Sequence, residues 1–170
     1  MSRSTTGEVL GKQGMPVRKL TPIERFEFLM NCDTPLDWRF ASAKCQPFRN
    51  ILNPVSLTSP FTGTKALTLE FFSFEEPVFI YEVQNTFWAT LKRAAYFDET
   101  LDSLIWNLER IRDLSCTVIV PLGSVYAKNR VTLVPHICVN HDMGLIRAAV
   151  GSDRYSWPPG CVFPAVPVGN

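Results

Sequence analysis

Residues 98–114 read DETLDSLIWNLERIRDL, and this stretch carries the clearest structural pattern in the chain. Its apolar residues recur at three- and four-residue spacing, which aligns them along one side of an α-helix: Leu101, Leu104, Ile105, Leu108 and Ile111. Acidic residues crowd the first turns while Arg110 and Arg112 lie near the end, so the charges match the helix dipole at both ends. The pattern predicts one long amphipathic helix packed against a core.

Strands are predicted on both sides of this helix. In residues 66–74, Leu67, Leu69 and Phe71 alternate with polar residues, which predicts a half-buried strand. Val78–Val83 begins a second predicted strand, continuing through residues 87–91. After the helix, Cys116–Val120 is short and continuously apolar, which is typical of a central strand, and Arg130–Val139 alternates again. Pro135 predicts that part of this last strand is an edge or a bulge.

Two further helical segments are predicted. Thr21-Pro22-Ile23-Glu24 has the features of a helix start, because threonine caps, proline fits the first position and glutamate completes a capping box. Asn31 then ends that helix, and a turn-rich segment runs to residue 65. Met143–Val150 predicts one or two helical turns stopped by Gly151.

These elements predict a single α+β domain with a mostly antiparallel sheet and the long amphipathic helix on one face. We expect a flexible basic arm at residues 1–19, the globular domain at 20–150, and a Pro-rich extended tail at 151–170. The arm carries Arg3, Lys12, Arg18 and Lys19 against Glu8.

Composition excludes several classes. The 170 residues are 46% hydrophobic and 19% charged with a net charge of +1, which suits one soluble core and excludes both global disorder and a whole-domain basic footprint. No apolar run reaches the roughly 18 residues that span a bilayer. Five widely spaced cysteines favour a reducing compartment, so we expect a protein that is not secreted.

The sequence predicts no catalytic site. Phosphate-binding glycine loops and nucleophile signatures are missing, so we expect a protein that is not an enzyme and has neither a cofactor nor a small-molecule substrate. His136, Cys138 and His141 lie close together, and His136 and Cys138 share a strand face. Zinc needs about four such ligands, so we expect structural side chains rather than a metal site.

Charge is unevenly distributed. Residues 1–19 carry +3 and residues 68–113 carry −5, which suits association of the arm with a neighbour's acidic face. The alternative is an ordinary helix with a solvated acidic side. We therefore take Arg3, Lys12, Arg18 and Lys19 as candidate contacts for nucleic acid or an anionic membrane, against the alternative of a solvated terminus.

Aromatic residues crowd positions 71–88. Strand alternation places Phe72 and Phe74 opposite Phe71, so they form an exposed patch unless residues 31–65 cover them. Phe72, Phe74 and Trp88 are the candidate residues for self-association. If they are covered, they belong to the core.

The layout resembles the rhabdovirus matrix proteins, in particular the plant-infecting members. The resemblance rests on a basic arm, then the aromatic strand Leu67–Phe74, the helix Asp98–Asp113, and the apolar strand with its glycine turn at residues 116–123. It implies a self-associating virion protein that condenses ribonucleoprotein beneath the envelope membrane. No PPxY or PTAP motif is present, and Tyr155 precedes the prolines of residues 158–159 instead of following them.

Two functions are therefore expected. The first is a viral structural protein of the matrix type, in the host cytoplasm and the virion, peripheral at the membrane, with itself and viral nucleoprotein or RNA as partners. The second is an RNA-binding regulator, such as a viral suppressor of RNA silencing, which would use the arm together with Arg110 and Arg112.

Overall fold

The computed structural model describes residues 14–33, 45–46, 59–107, 118–128, 130–140, 145–152 and 154–168. Within these ranges the elements are, in chain order, β1 (Thr21–Asn31), β2 (Cys45–Gln46), β3 (Thr64–Ser73), α1 (Ile80–Ala89), β4 (Lys92–Ala94), α2 (Phe97–Trp106), β5 (Val118–Ile119), β6 (Tyr126–Lys128), β7 (Val131–Asn140), β8 (Leu145–Ser152) and β9 (Cys161–Pro167). Neither of these two helices has the length and apolar character needed to cross a membrane.

The strands form one mixed sheet in the order β1-β3-β9-β5-β7-β8-β2, with β4 also beside β9 and β6 also beside β7. Neighbouring strands are antiparallel except for β5 beside β9 and β2 beside β8. Strand β9 lies in the interior of the sheet, since Ala165 is opposite Glu70 of β3 on one side and Ala94 of β4 on the other. The predicted α+β class with a mostly antiparallel sheet is confirmed.

Each face of the sheet is covered by one helix. Successive residues of a strand point to opposite faces, so Val162 packs in the cluster that contains Leu101 of α2. Its neighbour Phe163 packs in the cluster that contains Val83 and Phe87 of α1. The apolar residues of β9 are buried on both faces, which is why this strand is almost continuously apolar.

The helix predicted from Thr21 is wrong, because Thr21–Asn31 forms strand β1 along β3. Phe26 and Met30 are buried while Glu27 and Leu29 are exposed, which is the two-residue period of a strand. Phe26 meets Phe71 of β3 edge to face, with ring centroids 5.1 Å apart. The burial of apolar side chains in this pairing stabilises the strand by more than the capping signal at residues 21–24 could stabilise a helix.

The strand predicted at Val78–Val83 is also wrong, because Ile80–Ala89 is helix α1. Its buried apolar residues are Ile80, Val83 and Phe87, at helical spacing. The helix predicted at residues 98–114 is confirmed over Phe97–Trp106, and residues 108–114 lie outside the described residues. A single long helix is therefore not confirmed.

The C-terminal third of the chain contains more sheet than predicted. The helical turns predicted at Met143–Val150 are wrong, because Leu145–Ser152 is strand β8, and residues 141–144 lie outside the described residues. An extended tail at residues 151–170 is not confirmed, since residues 161–167 are the interior strand β9.

The three remaining strand predictions are confirmed within the described residues, and the first of them, at residues 66–74, corresponds to β3. Cys116 and Thr117 of the second lie outside the described residues. Val118–Ile119 lies between β7 and β9, as predicted for a central strand, and Val131–Asn140 forms β7. Pro135 lies opposite Val150 of β8. On its other side, Pro135 falls between the β7 residues that pair with β6 and those that pair with β5, so the ladder is interrupted there.

Candidate interaction surface on helix α1

Helix α1 is held at both ends by local hydrogen bonds. At the start, Phe79 N donates to Glu82 Oε2 at 2.8 Å, so the third helical residue caps the first turn. At the end, Thr90 Oγ1 donates to Thr86 O at 2.8 Å. Leu91 then adopts a left-handed conformation with φ of 54°, which redirects the chain into β4.

The outward side of α1 is aromatic and uncharged. Its exposed positions are Tyr81, Gln84 and Trp88. Together with neighbouring apolar residues they form a surface that we call the α1 stripe, with exposed fractions in parentheses: Phe79 (37%), Tyr81 (51%), Trp88 (53%), Leu91 (73%) and Val168 (57%).

Backbone and ring contacts hold the two ends of the α1 stripe in place. The rings of Phe79 and Tyr81 are stacked, with centroids 5.5 Å apart and planes 10° apart. Val168 N donates to Leu91 O at 2.9 Å. The apolar side chains of the stripe are therefore presented by ordered backbone at both ends of the helix.

A second side of α1 holds residues 15–19, which we call the N-terminal segment. Asn85 is 5% exposed and Thr86 is fully buried. Asn85 Nδ2 donates to the carbonyls of Met15 and Pro16 at 3.3 and 3.5 Å, and Thr86 Oγ1 accepts from Arg18 N at 3.0 Å. These buried polar side chains bind the backbone of the N-terminal segment.

Ion pairs fix the basic residues of this segment. Arg18 donates to Glu82 Oε1 from Nε at 3.1 Å and from Nη2 at 2.6 Å, and from Nη1 to Glu76 at 3.2 Å. Lys19 pairs with Glu75 at 3.0 Å. The hydrogen bond to Glu82 raises the pKa of Arg18, so the guanidinium stays charged.

The basic arm was predicted to pair with a neighbour's acidic face, whereas Arg18 and Lys19 pair with carboxylates of their own chain. Arg3 and Lys12 lie outside the described residues, as do Arg110 and Arg112. Arg18 and Lys19 were predicted as contacts for nucleic acid or membrane, and in this conformation both are occupied by carboxylates.

The three residues predicted for self-association separate into two groups. Phe72 and Phe74 are 6% and 5% exposed, and pack against Phe87 and Phe163 with ring centroids 6.1 and 5.5 Å apart. They belong to the core and form no exposed patch. Trp88 is exposed, as the prediction requires. Sequence reasoning missed Leu91 and Val168, because only the fold brings them together.

A separate polar cluster lies at the start of α2. The Asp98 carboxylate is 4% exposed and accepts hydrogen bonds from Ser59 N at 2.8 Å and Glu99 N at 2.9 Å. Burial raises the pKa of Asp98 to about 6. Burial also raises the pKa of Cys32, so that thiol is a poor nucleophile at neutral pH.

The neighbouring carboxylate is bound by arginine. Glu99 is fully buried and accepts from Arg93 at 2.7 and 2.8 Å, with Arg93 lying 5.0 Å from the Phe61 ring centroid. Such a bidentate pair compensates the buried charge of Glu99. The contacts at the start of α2 anchor the helix to β4 and to residue 59.

The predicted histidine and cysteine group is only partly within the described residues. His136 packs edge to face on Trp157 with ring centroids 5.2 Å apart, and burial lowers the pKa of His136. His141 lies outside the described residues. Over the ranges that the structure describes, no three His, Cys, Asp or Glu side chains are grouped to hold a metal ion.

No known protein family, curated protein or solved structure matches the chain.

Proposed function

We propose that the chain is a non-enzymatic structural or interaction protein whose copies associate through the α1 stripe. The observation that supports this most directly is the exposure of Tyr81 and Trp88 on the uncharged side of α1, with three further exposed apolar side chains at the two ends of the helix: Phe79, Leu91 and Val168. Contiguous exposed apolar surface is uncommon on monomers, and aromatic residues are enriched at the centres of protein interfaces. Tryptophan and tyrosine are also the residues that most often dominate binding energy.

A second copy of the chain is the partner that fits this surface. The exposed positions of α1 carry no charge, so this side of the helix adds no charge repulsion between two copies. In an antiparallel pair, the Phe79–Tyr81 stack of one copy meets Trp88 and Leu91 of the other, and the two helix dipoles oppose each other favourably. A two-fold interface of this kind is self-complementary, as closed dimers require.

An anionic membrane fits the same surface less well. Glu75 and Glu76 are 70% and 75% exposed close to the start of α1. With Glu82 they exceed the charge of Arg18 and Lys19 by one unit, and this excess opposes the approach of lipid phosphates.

The resemblance in layout to the rhabdovirus matrix proteins extends this proposal. In that role the self-associated protein would bridge viral ribonucleoprotein and membrane, in the host cytoplasm and the virion. An RNA-binding regulator is the alternative. It would need Arg18 and Lys19 to leave their carboxylate partners before they could contact phosphates.

Sedimentation velocity across protein concentration tests the self-association. Leu91→Glu should shift the equilibrium toward monomer, because it places a charge in the interface. Leu29→Glu is the matched control, since Leu29 is 66% exposed on β1, away from α1. Equal association of wild type, Leu91→Glu and Leu29→Glu would exclude the α1 stripe as the interface.

Absorbance at 260 and 280 nm on each sedimenting species distinguishes the two functions. Protein-only multimers that persist at high salt support association through an apolar surface. A small species that does not multimerise, carries RNA and releases it as salt rises supports the RNA-binding regulator and contradicts the primary proposal.

A further inference from the structure

Two contacts on α1 suggest a second binding site, distinct from the α1 stripe. The N-terminal segment is not part of a helix or strand of the sheet, yet α1 uses the side chains of two buried residues, Asn85 and Thr86, to bind its backbone. Glu82 and Glu76 bind its arginine. Recognition of backbone by buried polar groups and of one side chain by carboxylates is how proteins bind short linear peptides.

The N-terminal segment does not satisfy this site completely. Asn85 Oδ1 is buried and has no hydrogen-bond partner among the residues that the structure describes, although Nδ2 of the same amide makes two contacts. An unpaired buried acceptor is costly. Pro16 lies against this amide and has no N–H to donate.

Space also remains beside the segment. A cleft of about 340 Å³ lies between the segment and the turn before α1, lined by Pro16, Val17, Arg18, Lys19, Phe74, Glu75, Glu76 and Val78. It combines apolar walls with carboxylates, so it can accept an apolar side chain next to a basic one. The site therefore offers more contacts than its own segment uses.

We propose that this side of α1 is a binding site for an arginine-containing linear peptide of another protein, and that residues 15–19 occupy it within the chain. Binding of this segment between two copies of the chain would add little free energy, because the exchanged segment makes the same contacts that each chain already makes with its own segment. A foreign peptide can carry a side-chain donor for Asn85 Oδ1 and a larger apolar side chain that fills the cleft.

The intramolecular segment competes strongly because it is tethered. A short tether gives an effective concentration in the roughly millimolar range, which a free peptide must overcome. The wild-type chain should therefore bind an added peptide weakly. Weakening the segment should uncover the site, since Arg18 supplies its charged contacts.

Fluorescence anisotropy on the full chain tests the proposal. The probe is a labelled peptide, Gly-Met-Pro-Val-Arg-Lys-Leu, which copies residues 14–20. Arg18→Ala should bind it at least about tenfold more tightly than wild type, because its own segment has lost a charge-assisted contact. A peptide with alanine in place of arginine should bind Arg18→Ala about tenfold more weakly.

Two further variants complete the test. Glu82→Gln combined with Arg18→Ala should abolish arginine-dependent binding, while glutamine can still cap α1. Arg18→Lys keeps a positive charge, so its affinity for the peptide should lie between those of wild type and Arg18→Ala. It replaces Arg18→Ala in the test if that variant does not fold.

Three results would overturn the proposal. The first is no peptide binding to Arg18→Ala or Arg18→Lys. The second is equal affinity for peptides with and without the arginine. The third is dissociation of multimers by Arg18→Ala with no gain in peptide affinity, which would identify a second copy as the occupant. Because Leu91→Glu tests the α1 stripe separately, failure here leaves the proposed self-association intact.

Discussion

Arg18 and Glu82, which are 64 residues apart in the sequence, meet through two hydrogen bonds from the guanidinium to one carboxylate oxygen, at 3.1 and 2.6 Å. The other oxygen of Glu82 accepts from Phe79 N at the start of α1. One carboxylate therefore both caps the helix and binds the N-terminal segment, and it couples the position of the segment to the integrity of the first helical turn.

This coupling predicts unequal effects of two neighbouring substitutions. Arg18→Ala should lower the free energy of unfolding by about 1 kcal/mol, because it breaks a partly buried charge-assisted pair. Lys19→Ala is the control and should change it by only a few tenths, since Lys19 and Glu75 are 80% and 70% exposed. Urea denaturation at low and high salt measures both. Equal effects of the two substitutions would contradict the geometry.

The buried carboxylate of Asp98 predicts a dependence of stability on pH. Its pKa is raised from 3.8 to about 6, so the folded state binds the proton more tightly than the unfolded chain. This group therefore destabilises the fold above about pH 6. The penalty, up to roughly 3 kcal/mol, decreases as the pH falls through 6 toward 4.

Asp98→Asn isolates this effect. Relative to wild type, the variant should be more stable at pH 7.5 than at pH 4, because it carries no buried charge. Its single amide oxygen accepts from only one of Ser59 N and Glu99 N, which lowers its stability by the same amount at both pH values. The pKa of His136 is lowered, so its effect on the pH dependence of stability is opposite to that of Asp98. Both proteins contain His136, so comparing them at each pH by urea denaturation cancels its contribution. A stability difference that does not vary with pH would show that the pKa of Asp98 is the same in the folded and unfolded states.

The left-handed conformation of Leu91 predicts a gain in stability from glycine. Leu91→Gly should raise the free energy of unfolding by about 0.5–1 kcal/mol, because a residue without Cβ adopts positive φ without strain. Leu29→Gly is the opposite case: Leu29 is similarly exposed but lies in strand β1, so the same change should destabilise by a similar amount. Thermal unfolding of both variants tests the sign. In sedimentation, Leu91→Gly should also weaken self-association.

Close backbone contact at Gly123 predicts a large cost for one added methyl group. A Cβ at this position would lie 2.7 Å from Ala95 O, the same carbonyl that accepts from Gly123 N at 2.9 Å. Gly123→Ala should destabilise by about 1–3 kcal/mol, since backbone cannot move aside.

Gly151→Ala should lower the free energy of unfolding by less than Gly123→Ala does. Its Cβ would meet the Trp157 side chain at 3.0 Å, and a side chain can shift where the Ala95 backbone cannot. Chemical denaturation ranks the two variants. A greater loss for Gly151→Ala would show that Trp157 is more rigidly held than the turn at Gly123.

Most elements that the sequence predicts correctly have a single clear period. Alternation in residues 66–74 and 130–139 identified β3 and β7, and three- and four-residue spacing identified α2, while a continuously apolar run identified β5. Residues 21–31 fit both the helical spacing and the two-residue strand alternation, because Phe26 and Met30 can share a helix face or a strand face. Pairing with β3 decides between them, and this pairing joins residues far apart in the sequence.

Helix α1 shows the limit of local preference most clearly. Its first residues, Ile80, Tyr81 and Val83, favour strands. Burial of Ile80, Val83 and Phe87 against the sheet favours the helix, and this tertiary packing outweighs the local preference. The strand prediction failed here because single-sequence patterns do not contain the surface against which a segment packs.

The candidate sites were predicted unevenly for the same reason. Charge counts identified an attraction between basic and acidic segments, but not that Arg18 would bind Glu82 of its own chain. The sequence identified Trp88 as a candidate surface residue and left open whether Phe72 and Phe74 are exposed or in the core, because strand alternation does not tell which face a helix covers.

The interior position of β9 has a consequence for synthesis. Strands β3 and β5 both pair with β9 and are made earlier, so neither can complete its ladder until residues 161–167 have emerged from the ribosome. Until then, the unpaired edge of β3 and its apolar faces remain exposed on the nascent chain, where they are open to mispairing. We therefore expect nascent chains truncated before Cys161 to depend on chaperones.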